Sequence, residues 1–166
     1  MHCSGGTIST VPVPRHLVAI GVERYTRLPS EFQLHGVRRE LEDVISVFTR
    51  DLGYSLALPR LTDSPSADEI RLDLSEWLRS FERSSDDVVA IYCTAHGALS
   101  TSGRHYLLGR ESTDSNLPGT ALPTEDIARI FEDCVPPHVL LIVDTCYSGA
   151  GVTDWAAIAG RAAHSL

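Results

Sequence analysis

Short apolar runs alternate with amphipathic stretches along the chain, and that alternation predicts its elements. Residues 16–22, His-Leu-Val-Ala-Ile-Gly-Val, are too short for a helix and rich in β-branched side chains, so they predict a buried strand. Val37, Leu41, Val44, Ile45 and Phe48 recur at helical spacing on one face, and Gly53 closes that segment. Residues 54–61 predict a weaker strand, cut short by Pro59. Ser66-Ala67-Asp68-Glu69 is a capping-box pattern opening a helix whose apolar stripe is Ile70, Leu74, Trp77, Leu78 and Phe81. Trp77 is expected in the core. Residues 88–93 predict another buried strand, followed by a long loop over residues 98–123 that only Tyr106-Leu107-Leu108 interrupts. Thr124 caps a last helix through Ile127, Ile130 and Phe131, which Pro136-Pro137 ends. Residues 139–143, all Val, Leu or Ile, predict a final strand buried on both faces of a sheet.

Strands alternating with helices imply an α/β fold, a parallel sheet covered on both faces and joined by right-handed crossovers. Composition adds little to that picture: 166 residues with 43% apolar and 22% charged side chains fit one domain. Residues 1–14, rich in Ser, Thr, Gly and Pro, read as a flexible leader, residues 15–152 as the domain, and residues 153–166 as a tail or short helix. Charge excludes more. A net charge of −8, with all 14 basic residues Arg, argues against nucleic-acid and anionic-membrane partners, which need clustered cations. No apolar run approaches the roughly 18 residues of a membrane span, and no signal-peptide pattern opens the chain, so a cytoplasmic protein is expected. Cys3, Cys93, Cys134 and Cys146 lack disulfide or zinc spacing and are expected to be reduced.

Two strand ends carry chemistry. Asp144-Thr145-Cys146-Tyr147-Ser148 follows the last strand at once, with Gly149 and Gly151 allowing a sharp turn; Thr94-Ala95-His96-Gly97 follows the strand before it. Ligand crevices in open α/β sheets lie beyond the carboxyl ends of the strands. If the two strands are parallel neighbours, His96 and Cys146 share one edge, and an imidazole there would make a nucleophile of the thiol. The other candidates weigh less. Cys93, mid-strand, is expected in the core; Cys3 and Cys134 have no partner motif. His16, His35, His105, His138 and His164 show no metal spacing and default to structural or solvent roles. No arginine follows Cys146 at the short spacing a cysteine phosphatase needs.

His96-Gly97, with Asp144-Thr145-Cys146-Tyr147-Ser148-Gly149 about 50 positions on, resembles the catalytic signatures of the caspase and metacaspase-like cysteine peptidases. The Asp-x-Cys-x-Ser-Gly form is closer to metacaspases and their bacterial relatives than to the Gln-Ala-Cys of true caspases. The resemblance implies a caspase-like three-layer sandwich, a mostly parallel sheet flanked by helices, truncated after the cysteine strand. It implies Cys146 as nucleophile, His96 as acid/base, and an oxyanion hole on the backbone N–H groups of Gly97 and Cys146. Asp144 corresponds to a family carboxylate that holds a basic substrate side chain. In Leu34-His35-Gly36-Val37-Arg38-Arg39-Glu40, Glu40 falls where the family has a second acid, Asp.

Two carboxylates there imply cleavage of a protein or peptide substrate after Arg or Lys. No cofactor is expected: some metacaspases are calcium-activated, but no calcium-loop spacing is present. Arg104, Arg110 and Arg161 are the basic positions at which the enzyme would process itself. Twenty residues follow Cys146, whereas the family carries a further small-subunit region, so that region or a partner domain is expected to complete the pocket. The alternative is a catalytically incomplete interaction or signalling module that needs such a region or partner chain.

Overall fold

The structure, a computed structural model, describes residues 13–80, 87–132 and 138–150. β1 (Arg15–Gly21) pairs in parallel with β2 (Ser55–Ala57) on one side and with β3 (Val88–Thr94) on the other; β3 in turn pairs in parallel with β7 (His138–Asp144). The order β2-β1-β3-β7 gives the expected parallel sheet. Side chains alternate across it. Val18, Ile20, Val89 and Ile91 face Ile70, Leu74 and Leu78 of α2 (Ala67–Ser80) and Ile127 and Phe131 of α4 (Thr124–Glu132). Leu17, Ala19, Ala90 and Tyr92 face Val37 and Leu41 of α1 (Val37–Ser46). Helices therefore flank a mostly parallel four-stranded sheet in a three-layer α/β arrangement. Ile70, Leu74 and Leu78 are each fully or almost fully buried, worth about 1.5–3 kcal/mol apiece.

Local signals held where they specify backbone. The Ser66 N–H donates to Glu69 at 2.7 Å and the Glu69 N–H to Ser66 Oγ at 3.2 Å, a reciprocal capping box. After α1 the chain widens into a π-helical turn, Val47–Asp51, and Gly53 with φ 72° ends it. Trp77 is only partly buried, against the core and edge-on to His16. Phe81, the Pro136-Pro137 stop, the leader to residue 12 and the tail lie outside the described residues.

Two expectations need correction. The strand 139–143 is not buried on both faces. β7 is an edge strand among the described residues, paired only with β3, and Leu140 stays 48% exposed. The apolar run reports a strand but not its place in the sheet. Residues 98–123 are also no simple loop. β4 (Gly97–Leu99), β5 (His105–Leu107), α3 (Leu117–Thr120) and β6 (Leu122–Pro123) lie there, and the three strands form an antiparallel sheet in the order β4-β5-β6. The side chains of Arg104 and Arg110 are tied into this folded region, Arg104 to Glu125 and Arg110 to Glu69 at 3.2 Å.

Among the described residues no helix is long and apolar enough to cross a membrane. Nor do three His, Cys, Asp or Glu side chains there group to hold a metal ion.

Candidate active site

β3 and β7 pair in parallel with Thr94 opposite Asp144. Neighbouring strands run about 4.8 Å apart. His96 and Cys146, each two residues beyond that matched pair, therefore start from the same edge of the sheet. Cys146 is exposed, and His96 is half-buried. Cys93 sits in the core, where burial pushes its thiol up to about 12. It is expected to resist alkylation at pH 8 in the folded chain, which peptide mapping after iodoacetamide treatment checks.

His96 is held from three sides. Its backbone N–H donates to the Tyr25 hydroxyl at 2.8 Å, and that hydroxyl donates to the Val22 carbonyl at 3.0 Å. The Tyr25 ring lies 5.0 Å from the imidazole, and the exposed Phe32 ring meets it edge-on at 6.0 Å. Nε2 is 2.8 Å from the Phe32 carbonyl oxygen. A carbonyl only accepts, so in the neutral ring Nε2 carries the proton and Nδ1 keeps the lone pair. The group that meets Nε2 is a main-chain atom.

Tyr25 carries a pH prediction. Burial raises its phenol to about 12, against the opposing bond from the His96 N–H. A raised folded-state value means that its contribution to stability is whole below pH 10 and lost as pH climbs from 10 to about 12. Between pH 9 and 11 the stability gap between wild type and Tyr25→Phe is expected to narrow by about 1 kcal/mol in urea unfolding; an unchanged gap would refute it.

The turn at Cys146 differs from its sequence reading. Its left-handed residue is Tyr147, with φ 61°, and not Gly149; Gly151 lies outside the described residues. That conformation costs a tyrosine about 1–2 kcal/mol. Gly97 matters for another reason. A methyl group on it would overlap the Cys146 carbonyl oxygen and come within 2.7 Å of His105 Nε2 and 2.9 Å of Thr145 Oγ1. Only glycine lets β4 approach the turn so closely.

Among the described residues, neither of the two backbone N–H groups expected in an oxyanion hole is taken up by a ladder or turn hydrogen bond. In the antiparallel β4–β5 ladder, ladder bonds from Leu108 to His96 and from Ser100 to Arg104 flank the Gly97–Leu107 pair at alternate positions. Gly97 thus falls in a non-bonded pair, with its N–H directed away from β5 at the open edge. Cys146 follows the end of β7, and its N–H makes no hydrogen bond among the described residues.

Glu40 and Asp144 converge although they come from α1 and β7. The Tyr92 hydroxyl donates to Glu40 Oε1 and lies 3.4 Å from Asp144 Oδ2. Burial first, then the bond to Glu40 and the charges of both acids, push the Tyr92 phenol strongly upward. It stays a donor. One hydroxyl proton cannot neutralise two carboxylates, and neither acid has an ion-pair partner among the described residues. Sequence reasoning missed Tyr92, yet a hydroxyl in an otherwise apolar buried strand was a signal, since buried polar groups need partners. Two clefts of about 220 and 210 Å³ elsewhere include neither Cys146 nor His96.

No family model and no curated protein matches the chain. Among solved structures it is similar to protein GSU0716 from Geobacter sulfurreducens, with a TM-score of 0.56 over 81% of this chain and 11% identity. The chain spans 51% of the length of that protein's chain. At such identity the likeness speaks to the fold alone.

Proposed function

We propose that the domain is a caspase and metacaspase-like cysteine endopeptidase that cleaves after Arg or Lys through Cys146 and His96. The observation that carries this reading is the β3–β7 register, which starts both residues from one sheet edge. His96 has its Nε2–H on the Phe32 carbonyl and its Nδ1 lone pair left for a proton. In the first step Nδ1 takes the thiol proton as Sγ attacks the scissile carbonyl carbon. The tetrahedral oxyanion is met by the N–H groups of Gly97 and Cys146. His96 then gives its proton to the leaving amine as the C–N bond breaks, leaving a thioester. Water, deprotonated by His96, attacks the thioester and releases the acid and the thiol.

Glu40 and Asp144 supply specificity. An unneutralised acid pair attracts a guanidinium or ammonium group and repels an acidic one, with charge-assisted hydrogen bonds favouring Arg. One observation favours a second reading, an interaction module completed by another region or chain: among the described residues β7 is an edge strand with an exposed Leu140. The test is reaction of the full chain with Arg-ended and Asp-ended peptidyl electrophiles, located by peptide mapping. Labelling at Cys146 by the Arg-ended reagent alone is expected. Preference for the Asp-ended reagent would overturn the specificity assignment, and no labelling by either would favour the interaction module.

A further inference from the structure

Behind the nucleophile stands a second histidine. His105, the first residue of β5, is fully buried. Its Nδ1 lies 2.6 Å from Thr124 Oγ1 at the start of α4. Its Nε2 lies 3.1 Å from the Cys146 carbonyl oxygen and 3.2 Å from Thr145 Oγ1. Because a carbonyl cannot donate, Nε2 bears the proton, and Nδ1 accepts from the Thr124 hydroxyl. The ring thus braces the nucleophile turn against the first residue of α4.

The bond acts on a strained peptide. With the Cys146 carbonyl turned inward onto Gly97 and His105, the planar trans peptide directs the Tyr147 N–H the opposite way. Tyr147, the next residue, sits at φ 61°, a conformation that costs a non-glycine residue energy and persists only where its surroundings hold it. Release of the carbonyl would swing the same residue that carries the thiol.

We propose that His105 is a positioning residue for the nucleophile: its Nε2–H holds the Cys146 carbonyl and so fixes where Cys146 presents its thiol to His96. This inference rests on reading Cys146 and His96 as a reacting pair. Its role is to act through Cys146 and not on the substrate, so it changes the rate of the chemical step and leaves the Glu40–Asp144 subsite alone.

Two side chains separate the halves of the imidazole. The amide nitrogen of glutamine overlies Nε2 and retains a donor for the carbonyl; the shorter asparagine reaches only towards Thr124. Two rates at Cys146 are followed by peptide mapping of the full chain at pH 7, one with an Arg-ended peptidyl electrophile and one with iodoacetamide. His105→Asn is expected to slow inactivation by the peptidyl reagent about 10- to 100-fold at saturation, with its half-saturating concentration unchanged. Iodoacetamide should slow in parallel, and His105→Gln should stay within about 3-fold of wild type for both reagents.

A merely structural role would shift both variants in step with their melting temperatures. Equal rates for the Asn and Gln variants, or a wild-type rate for the Asn variant, overturn the proposal. If the wild type ignores the Arg-ended reagent while iodoacetamide still separates Asn from Gln, the peptidase reading falls and the positioning role stands.

Discussion

Gly97→Ala is expected to lower the reaction of Cys146 with an Arg-ended peptidyl electrophile by at least about 100-fold, the cost of a roughly 1 Å displacement at a reacting group. The added methyl meets three groups, and the two nearest are not free ends of flexible side chains, so relief must come from a shift of the turn itself. The Cys146 carbonyl belongs to the main chain, and His105 is fully buried between Thr124 and the turn. Overpacking of this kind costs about 1–3 kcal/mol of stability, too little by itself to unfold a domain of ordinary stability. The variant should therefore remain folded at 25 °C while its nucleophile is displaced. Rate constants at Cys146, read beside circular dichroism, check this. A folded alanine variant that reacts at the wild-type rate would mean that β4 does not constrain the turn.

The same contact explains what the sequence could and could not convey. His96 and Cys146 were legible because each lies just beyond an apolar run, and runs of that kind become parallel strands whose ends share an edge. Helix faces were legible for a similar reason: the stripes Val37–Leu41 and Ile70–Leu74–Leu78 repeat at 3.6 residues and bury as one face. Position within the sheet was not, since the composition of β7 is that of a central strand although among the described residues β3 alone flanks it. Strands of two or three residues leave no periodicity to read, which hid the β4-β5-β6 sheet inside residues 98–123. The Phe32 carbonyl that orients His96 could not be found at all, because every residue has one. Tyr92 and His105 lie between these cases. Each is a polar side chain within or beside an apolar run, which says that a partner exists without naming it.

Tyr92 leads to a specificity prediction, because its single proton makes the two acids unequal. The hydroxyl is committed to Glu40, so the exposed Asp144 keeps more lone pairs for an incoming cation. Asp144→Asn is expected to cut kcat/KM for an Arg-ended peptide by about 100-fold and Glu40→Gln by about 10-fold, the range for charge-assisted hydrogen bonds. The losses should not add. With asparagine at position 144, Glu40 would be the remaining acid of the proposed pair, so its removal weighs differently in the double variant. Citrulline, which keeps the shape of arginine without its charge, isolates the electrostatic part: the wild type should prefer Arg over citrulline strongly, and Asp144→Asn should lose most of that preference. Stability should move the other way or not at all, because replacing one of two like charges around a shared hydroxyl relieves repulsion. An Asp144→Asn protein that melts lower and keeps its Arg-over-citrulline ratio would make the carboxylate pair a structural feature and leave specificity to other residues.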